Sequence, residues 1–547
     1  MVWFWLGALP LCFVLFRLLR LIPRFMKWRS IQHIPGPKCG FWLGQTPAIR
    51  REPFMVPHKQ WSEEVGPEAR IVRYSQIMGL NSLLILDKEI MKEILTAPAS
   101  KNDCRFKKPF TLFPNVIGYG LVTLEGEEWA RHRRIIQPAF SVSFLKETLN
   151  ISVPPKVQTF IRCWLDAGQG QEIDLASHLS ALTLDIIGDA GFSYDTSGLK
   201  DVEAWSTAVQ EAKQAGDKND ATSLQSPELT DPLITSFMAF FQPSPLRLFL
   251  FMTGTASLDP YINPKTVNLK SAISSTVEGI IQNAKNMNQQ QETEDGVSSS
   301  SLPNTSSSKS LLRLLLKARD AEATSNSKNT LSDQELKDEL KTFLLAGHET
   351  TSTWCYWALY AMAKHPDVQD KIFQDVIKNV KDPNNNDSNV TLEESENMEY
   401  LSAFLNEVLR MYPPVGMVVR RNCYEETIAG YKIPKDTNLV IPVHLLHRNP
   451  KYWPEPEIFK PERWLEGGDA GGGGMDSRNF TFLPFGAGGH NCIGYKFATY
   501  EAKMIVAQMV RALRVEIAPS QRDVEHTFTN IVTMKAKPGL KIVFKAR

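Results

Sequence analysis

Along most of the chain apolar residues return every three or four positions, the period of a helix that buries one face. Leu175 to Phe192 and Gln334 to Ala363 carry this period at length, and Met398, Leu401, Leu405, Val408 and Tyr412 carry it over a shorter run that Pro413 ends. Another helical run starts at Tyr495. Ser332 with Glu335 three residues later is a capping-box signature, and His365-Pro366 is the next stop signal. At 1.5 Å per residue the helix between them is a rod of roughly 45 to 50 Å, long enough to cross a domain. Strand-like clusters are confined to Arg70 to Ser75, Ser82 to Leu86 and a set from Thr427 to Val443. The pattern predicts a mainly α fold with a small β part.

Some stretches break the pattern. Val2 to Phe16 is almost wholly apolar and continues as RLLRLIPRFMKWR. Arg17 and Arg20 can snorkel to headgroups and extend this run to about 20 residues, enough to span a bilayer. A secretory signal is the rival reading. Against it, the positive charges follow the apolar run and no small-residue cleavage site closes it. Basic flanks stay cytosolic, so residues 1–34 read as a membrane anchor and linker, and 35–547 as one catalytic domain that begins after the Pro35-Gly36-Pro37 break. Residues 286–310 and 467–474 are polar or glycine-rich and read as flexible insertions, as does Asp382 to Asn389. Phe237 to Met252 is apolar enough to dip into a bilayer, with a buried helix pair as the equal alternative.

Composition narrows the class. The 547 residues are 43% hydrophobic and 22% charged, as in ordinary globular proteins. With 61 basic against 60 acidic residues, no whole-protein field gathers nucleic acid, and any basic docking patch is local. The seven cysteines are scattered, which fits neither a disulfide framework nor a CxxC metal site, and points to reduced thiols facing the cytosol.

One of them stands apart. Phe482 to Gly494 reads FLPFGAGGHNCIG and leads straight into the helical pattern at Tyr495. Glycines let backbone approach a flat ligand, and a cysteine just before a helix N-terminus is favoured as a thiolate that can ligate iron. A buried, inert cysteine is the commoner fate of such a residue. The long central helix carries the second anomaly, Ala346-Gly347-His348-Glu349-Thr350-Thr351 amid apolar neighbours. Burying unpaired polar groups costs about 1 to 3 kcal/mol each, and Gly347 adds about 1 kcal/mol, so the segment is either a solvent-facing notch or a site.

Phe485, Gly488, Cys492 and Gly494 fit F-x-x-G-x-x-x-C-x-G, and the loop resembles the haem-binding loop of the cytochrome P450 family. The resemblance makes Cys492 the axial thiolate of a b-type haem. His490 stands where the family usually has an arginine that pairs with a haem propionate, which implies a weaker contact. AGHETT is similar to the family's oxygen-activation motif, with Ala346 over the haem and Glu349 and Thr350 as the acid and alcohol that relay protons. Members of the fatty-acid ω-hydroxylase branch often have a glutamate at the Ala346 position that bonds covalently to haem, and alanine cannot. Glu407-x-x-Arg410, followed by Pro461-Glu462-Arg463, resembles the family's structural lock, with Trp464 replacing the usual phenylalanine. From spacing alone that pair is worth only ~0.2 to 1 kcal/mol. Trp129 and Arg133 form a W-x-x-x-R whose side chains, by resemblance, reach the propionates; alone, such a pair is as often a stacked surface contact.

The family likeness runs from Trp129 to Gly494 in order and implies a monooxygenase that inserts one atom of O2 into a small hydrophobic substrate. A fatty acid, a sterol and a terpenoid or carotenoid all fit. Electrons would come from NADPH through a separate membrane-bound reductase, with Arg131, Arg134 and Lys496 as a candidate docking patch. Membrane lipid is the further partner, and the endoplasmic reticulum the expected location. Pocket walls are expected from Phe106 to Tyr119, at Ala346, from Val415 to Val419 and at Ile531-Val532. The rival readings are a haem-thiolate isomerase or dehydratase acting on peroxides and a non-enzymic haem carrier. Such relatives tend to lose the acid–alcohol pair, which is intact here.

Overall fold

The computed structural model describes residues 21–99, 104–109, 114–216, 224, 226–233, 235–236, 244, 246–247, 250, 258–294, 310–316, 330–385, 388–465, 479–530 and 533–547. The apolar run Val2 to Phe16, the loop 467–474, Ile531-Val532 and most of Phe237 to Met252 lie outside them. None of the described helices is long and apolar enough to cross a membrane. The helix Pro264–Glu294 runs into the polar stretch expected to be loop from 286 onward.

Seven helices position the site: α1 (Leu21–Ser30), α2 (Gly126–Ile136), α3 (Val142–Ala167), α4 (Leu175–Phe192), α5 (Asp333–Lys364), α6 (Glu399–Met411) and α7 (Tyr495–Ala512). The capping box forms as the sequence predicts, with the Ser332 side chain accepting from Glu335 N and Glu335 accepting from Ser332 N. α5 is buried on nearly every side in its C-terminal half, Trp354 to Ala363, and along its length it packs against α4, α6 and α7.

The strands number β1 (Ile71–Gln76), β2 (Leu80–Ile85), β3 (Phe106–Lys107), β4 (Ile173–Asp174), β5 (Val418–Asn422), β6 (Glu426–Ile428), β7 (Tyr431–Ile433), β8 (Asn438–Ile441), β9 (Leu513–Ile517), β10 (Thr527–Asn530), β11 (Met534–Lys537) and β12 (Lys541–Ala546). A five-stranded sheet runs β1-β2-β8-β5-β3, antiparallel except for the β2–β8 pair. Alternate residues of β2 divide between its faces. Leu83 and Ile85 join a core with Ile31, Ile34, Leu439 and Ile441, while Leu84 packs with Val72, Tyr74, Val440 and Trp61. Arg73 of β1 donates to the Ile34 and Gly36 carbonyls, which ties the chain after α1 to the sheet. β10 and β11 form a hairpin, which Trp357 of α5 anchors by donating to the Met534 carbonyl at 2.7 Å.

The helical core and the sheet core meet at the cysteine loop. Leu483 and Ala487 are buried with the sheet, whereas Phe482 and Phe497 are buried with the helices. The loop is therefore held from both sides.

Candidate active site

Gly486 and Gly488 adopt φ of +68° and +71°. A Cβ on Gly488 would lie 1.9 Å from the Leu95 carbonyl oxygen, so only glycine fits where the loop passes that backbone. The Cys492 N–H donates to the Phe485 carbonyl at 2.9 Å, and Gly494 forms the N-cap of α7. Cys492 is exposed, but to an interior cavity and not to the outer surface. Burial pushes its thiol up, against the Gly494 N–H and the Arg133 guanidinium, which pull it down. The helix N-terminus by itself thus does not secure the thiolate. A metal ion on the sulfur does, because a coordinated thiol is deprotonated outright.

The cavity has a volume of about 360 Å³ and is part open to solvent. α5 supplies Ala346, Gly347, Thr350 and Thr351 to its lining. Ala346 is exposed in the middle of a core helix, again because it faces the cavity. A Cβ on Gly347 would come 3.0 Å from Cγ1 of Ile187 on α4, so a larger residue there would need the Ile187 side chain to give by a few tenths of an ångström. Two hydroxyls tap the helix carbonyls at this notch: Thr350 donates to the Ala346 oxygen at 2.9 Å, and Thr183 of α4 to the His348 oxygen at 3.1 Å. His348 is buried, its Nδ1 2.7 Å from the Leu344 oxygen.

Thr350 lines the cavity and Glu349 does not. The Glu349 carboxylate is buried, and its Oε1 lies 2.9 Å from Lys535 Nζ and accepts from the Thr533 hydroxyl at 2.8 Å. Burial raises the pKa of this carboxyl. The Lys535 ammonium, with His348 and the two hydrogen bonds, outweighs that effect and holds it below the usual carboxylate range. The sequence put acid and alcohol side by side, whereas the fold faces them in different directions.

A basic cluster occupies another part of the lining. Trp129 and Arg133 of α2 are there as expected, with His490. Arg133 donates to the Asn491 carbonyl and side chain at 2.9 and 2.8 Å, and the Trp129 and His490 rings lie 4.2 Å apart. His490 Nε2 sits 3.2 Å from Glu125 Oε2, while its buried Nδ1 has no hydrogen-bond partner. Burial pushes the imidazole down and the nearby Lys108 and Arg420 add to this, against Glu125, which pulls it up. Lys108, inside the wall expected from Phe106 to Tyr119, and Arg420, which the sequence did not single out, also line the cavity. Burial brings Lys108 to about 8 and lowers Arg420 as well. Arg420 could have been suspected only as one of a charged pair in the strand VVRRN.

Beneath the loop, Glu407, Arg410 and Arg463 are fully buried. Arg410 donates to both Glu407 oxygens at 2.8 Å, Arg463 donates to Oε1 at 3.0 Å and the Trp464 indole N–H to Oε2 at 2.9 Å. The i,i+3 pair that spacing alone reads as a weak surface contact is the centre of a buried network. Trp464, the departure from phenylalanine, contributes a donor that phenylalanine lacks.

This site suits a thiolate-ligated haem. The sulfur faces the cavity, the walls are mostly apolar, and a basic cluster with an orphaned His490 nitrogen matches two carboxylates. The model of the cytochrome P450 family matches residues 34–543. The chain is 28% identical over 519 residues to Protein LUTEIN DEFICIENT 5, chloroplastic, of Arabidopsis thaliana, covering 93% of this chain and 77% of that protein. It is 28% identical over 467 residues to cytochrome P450 4A10 of Rattus norvegicus, covering 85% and 81%. Identity to cytochrome P450 4A11 of Homo sapiens is 26% over 551 residues, covering 98% and 94%. The chain belongs to the cytochrome P450 family and is a haem-thiolate monooxygenase for hydrophobic substrates, supplied with electrons by an NAD(P)H-dependent reductase.

Proposed function

We propose that this monooxygenase hydroxylates a lipophilic substrate, a fatty acid, sterol or terpenoid, at the membrane of the endoplasmic reticulum, with an NADPH reductase bound to the same membrane as electron donor. The carrying observation is a single apolar cavity into which Cys492, Ala346 and Thr350 all open. In this reading Cys492 is the axial ligand, and Trp129, Arg133 and His490, joined by Lys108 and Arg420, hold the haem carboxylates. Phe485, Gly488 and Gly494 shape the loop around the sulfur, and Glu407, Arg410 and Arg463 lock its underside. Haem, when bound, supplies dioxygen activation and transfer of one oxygen atom to carbon. The chain's own part is to orient the substrate against Leu121, Val122, Phe343 and Val415, exclude water, and pass protons through Glu349 and the Thr350 hydroxyl.

Ala346 faces the cavity without a carboxylate, so the haem is held non-covalently at this position. The apolar run Val2 to Phe16 supports anchoring, with the basic residues after it on the cytosolic side. The plant relative is named as chloroplastic, which makes the plastid the location to test against. Its name also refers to lutein, which places carotenoids in the substrate panel. The deciding experiment is a panel of fatty acids, sterols and carotenoids scored by the spin-state spectral shift, then by product mass with reductase and NADPH. The expected result is one class that shifts the spectrum and gains one oxygen atom. Rearrangement of a hydroperoxide without NADPH would sink the monooxygenase reading. Reduced protein with CO is expected to show the red-shifted Soret band of thiolate ligation, and Cys492→Ala to lose it.

A further inference from the structure

Two cysteines far apart in sequence meet at the edge of the five-stranded sheet. β3, the last strand of that sheet, is two residues long and pairs with β5 through Phe106 opposite Asn422 and Lys107 opposite Arg421. The ladder continues one step further, where the Cys423 N–H donates to the Arg105 carbonyl at 2.8 Å. That contact sets Cys104 beside Cys423, and the two side chains are hydrogen-bonded to each other. Both are free thiols, Cys104 buried and Cys423 half-buried. Thiols already in contact across an antiparallel pair need little backbone movement to bond, a condition that most cysteine pairs fail. Lys108 follows β3 directly, Val418 and Arg420 belong to β5, and all three line the cavity. The short ladder is backed by Arg105, which donates to Glu426 at 2.8 Å and to Glu93 at 3.0 Å, exposed pairs that add little.

We propose that Cys104 and Cys423 form a reversible oxidation site, whose disulfide staples β3 to β5 and tightens the basic wall of the cavity. Its effect on haem rests on the reading of Lys108 and Arg420 as partners of the haem carboxylates. The oxidant is a small-molecule disulfide, glutathione disulfide being the probe. The half-buried Cys423 gives up its proton and attacks one sulfur of that disulfide; its S–S bond breaks, and one glutathione leaves with the proton. Cys104 then attacks the Cys423 sulfur and displaces the second glutathione, which takes the Cys104 proton. Two electrons pass from the cysteines to the glutathione disulfide, and a dithiol reverses the exchange. Burial first, then the Cys104 thiol, push the Cys423 thiol up to about 11; Glu125 adds to this and Lys107 opposes it, while the Arg105 charge is taken up by Glu93 and Glu426. Exchange is therefore slow at pH 7 and gains about tenfold per pH unit as the thiolate fraction rises. In a reducing compartment such a bridge is a transient sensor of oxidation.

The test holds the full haem-loaded chain in glutathione buffers of rising oxidised fraction at about pH 8, blocks the remaining thiols by alkylation and maps the bonds by peptide mass. The expected result is a bond from Cys104 to Cys423 that dithiothreitol releases. Cys104→Ser is expected to stop with glutathione trapped on Cys423, and Cys423→Ser to form neither bond. Wild-type protein in its two redox states is then compared by haem transfer to an acceptor protein, so the main comparison depends on no variant folding. Transfer is expected to be roughly tenfold slower from the bridged form, because the bridge suppresses local opening of the edge strand. The same buffers should make no difference to transfer from Cys423→Ser. Glutathione left on Cys423 of the wild type, or no reaction at either thiol, overturns the proposal, as does a bridge that leaves haem transfer unchanged. Unchanged transfer from reduced Arg420→Ala would instead overturn the reading of the basic cluster, whether or not the bridge forms.

Discussion

Glu407 takes hydrogen bonds from two guanidinium groups out of contact with solvent and from the indole of the buried Trp464. Glu407→Gln leaves Arg410 and Arg463 buried without that anion, and is expected to cost about 3 to 5 kcal/mol in urea unfolding of the haem-loaded protein. Trp464→Phe removes one donor from a buried carboxylate and is expected to cost about 1 to 3 kcal/mol. At the basic cluster, a charge-assisted hydrogen bond is worth about 1.5 to 3 kcal/mol, so Arg420→Ala should speed haem transfer to an acceptor protein by roughly 10- to 100-fold. Burial disfavours the charged form of His490, whereas a guanidinium is charged at every relevant pH. His490→Arg is therefore expected to slow haem loss, and the same transfer assay would show if it does not. Cys492, Gly488 and the Glu407 pair were legible as residue types at fixed spacing. Arg420 and Lys535 were not, and Lys108 was covered only as part of a wall span, since a lone basic side chain says nothing of its place until the sheet pairs and the hairpin bring it to the cavity or to α5.

The contact of α5 with α7 holds a second buried acid. Glu501 of α7 is 1% exposed and neither oxygen has a well-formed hydrogen bond, although the Thr351 hydroxyl of α5 lies near enough to lower its pKa. Burial dominates and pushes the carboxyl well above the usual range, so it is a neutral acid in the fold. The unfolded chain ionises it near 4.3, and the folded chain keeps the proton. Its contribution to stability is therefore full below that value and falls by about 1.4 kcal/mol per pH unit as pH rises toward the folded-state value. Glu501→Gln, neutral in both states, should match the wild type in melting at pH 4 and exceed it at pH 8. A wild-type advantage at pH 8 would show that the carboxyl is ionised in the fold. At this scale the helices were readable because period, capping box and Pro stops agree. β5 was missed because the residues it buries, Arg420 and Asn422, are polar, so its sequence shows no apolar alternation. β9 was missed because Leu513 follows α7 with no glycine or proline to mark the change.

For the molecule as a whole, a formal charge of +1 leaves electron-donor docking to local patches. The sequence nominated Arg131, Arg134 and Lys496. The fold separates them. Arg131 donates to Glu128, to Glu335 near the start of α5 and to the Thr330 carbonyl, so its charge is spent joining α2 to α5. Arg134 and Lys496 line a surface hollow together with Trp129 and Arg133, and Lys496 follows Cys492 closely in the chain. An acidic donor seated there would approach the sulfur side of the site. Arg134→Glu and Lys496→Glu together should slow the first electron transfer from reductase, read by stopped-flow as formation of the CO complex, by roughly tenfold at low salt. Mutant and wild type should converge as salt shortens the Debye length to about 3 Å near 1 M. Arg131→Glu should behave differently. It places a third carboxylate between Glu128 and Glu335, so it is expected to lower the melting temperature while leaving the salt dependence of reduction as in the wild type. If instead Arg131→Glu slows reduction with the same salt dependence as the pair, the docking face extends over the α2–α5 junction and the hollow at Lys496 is not its centre.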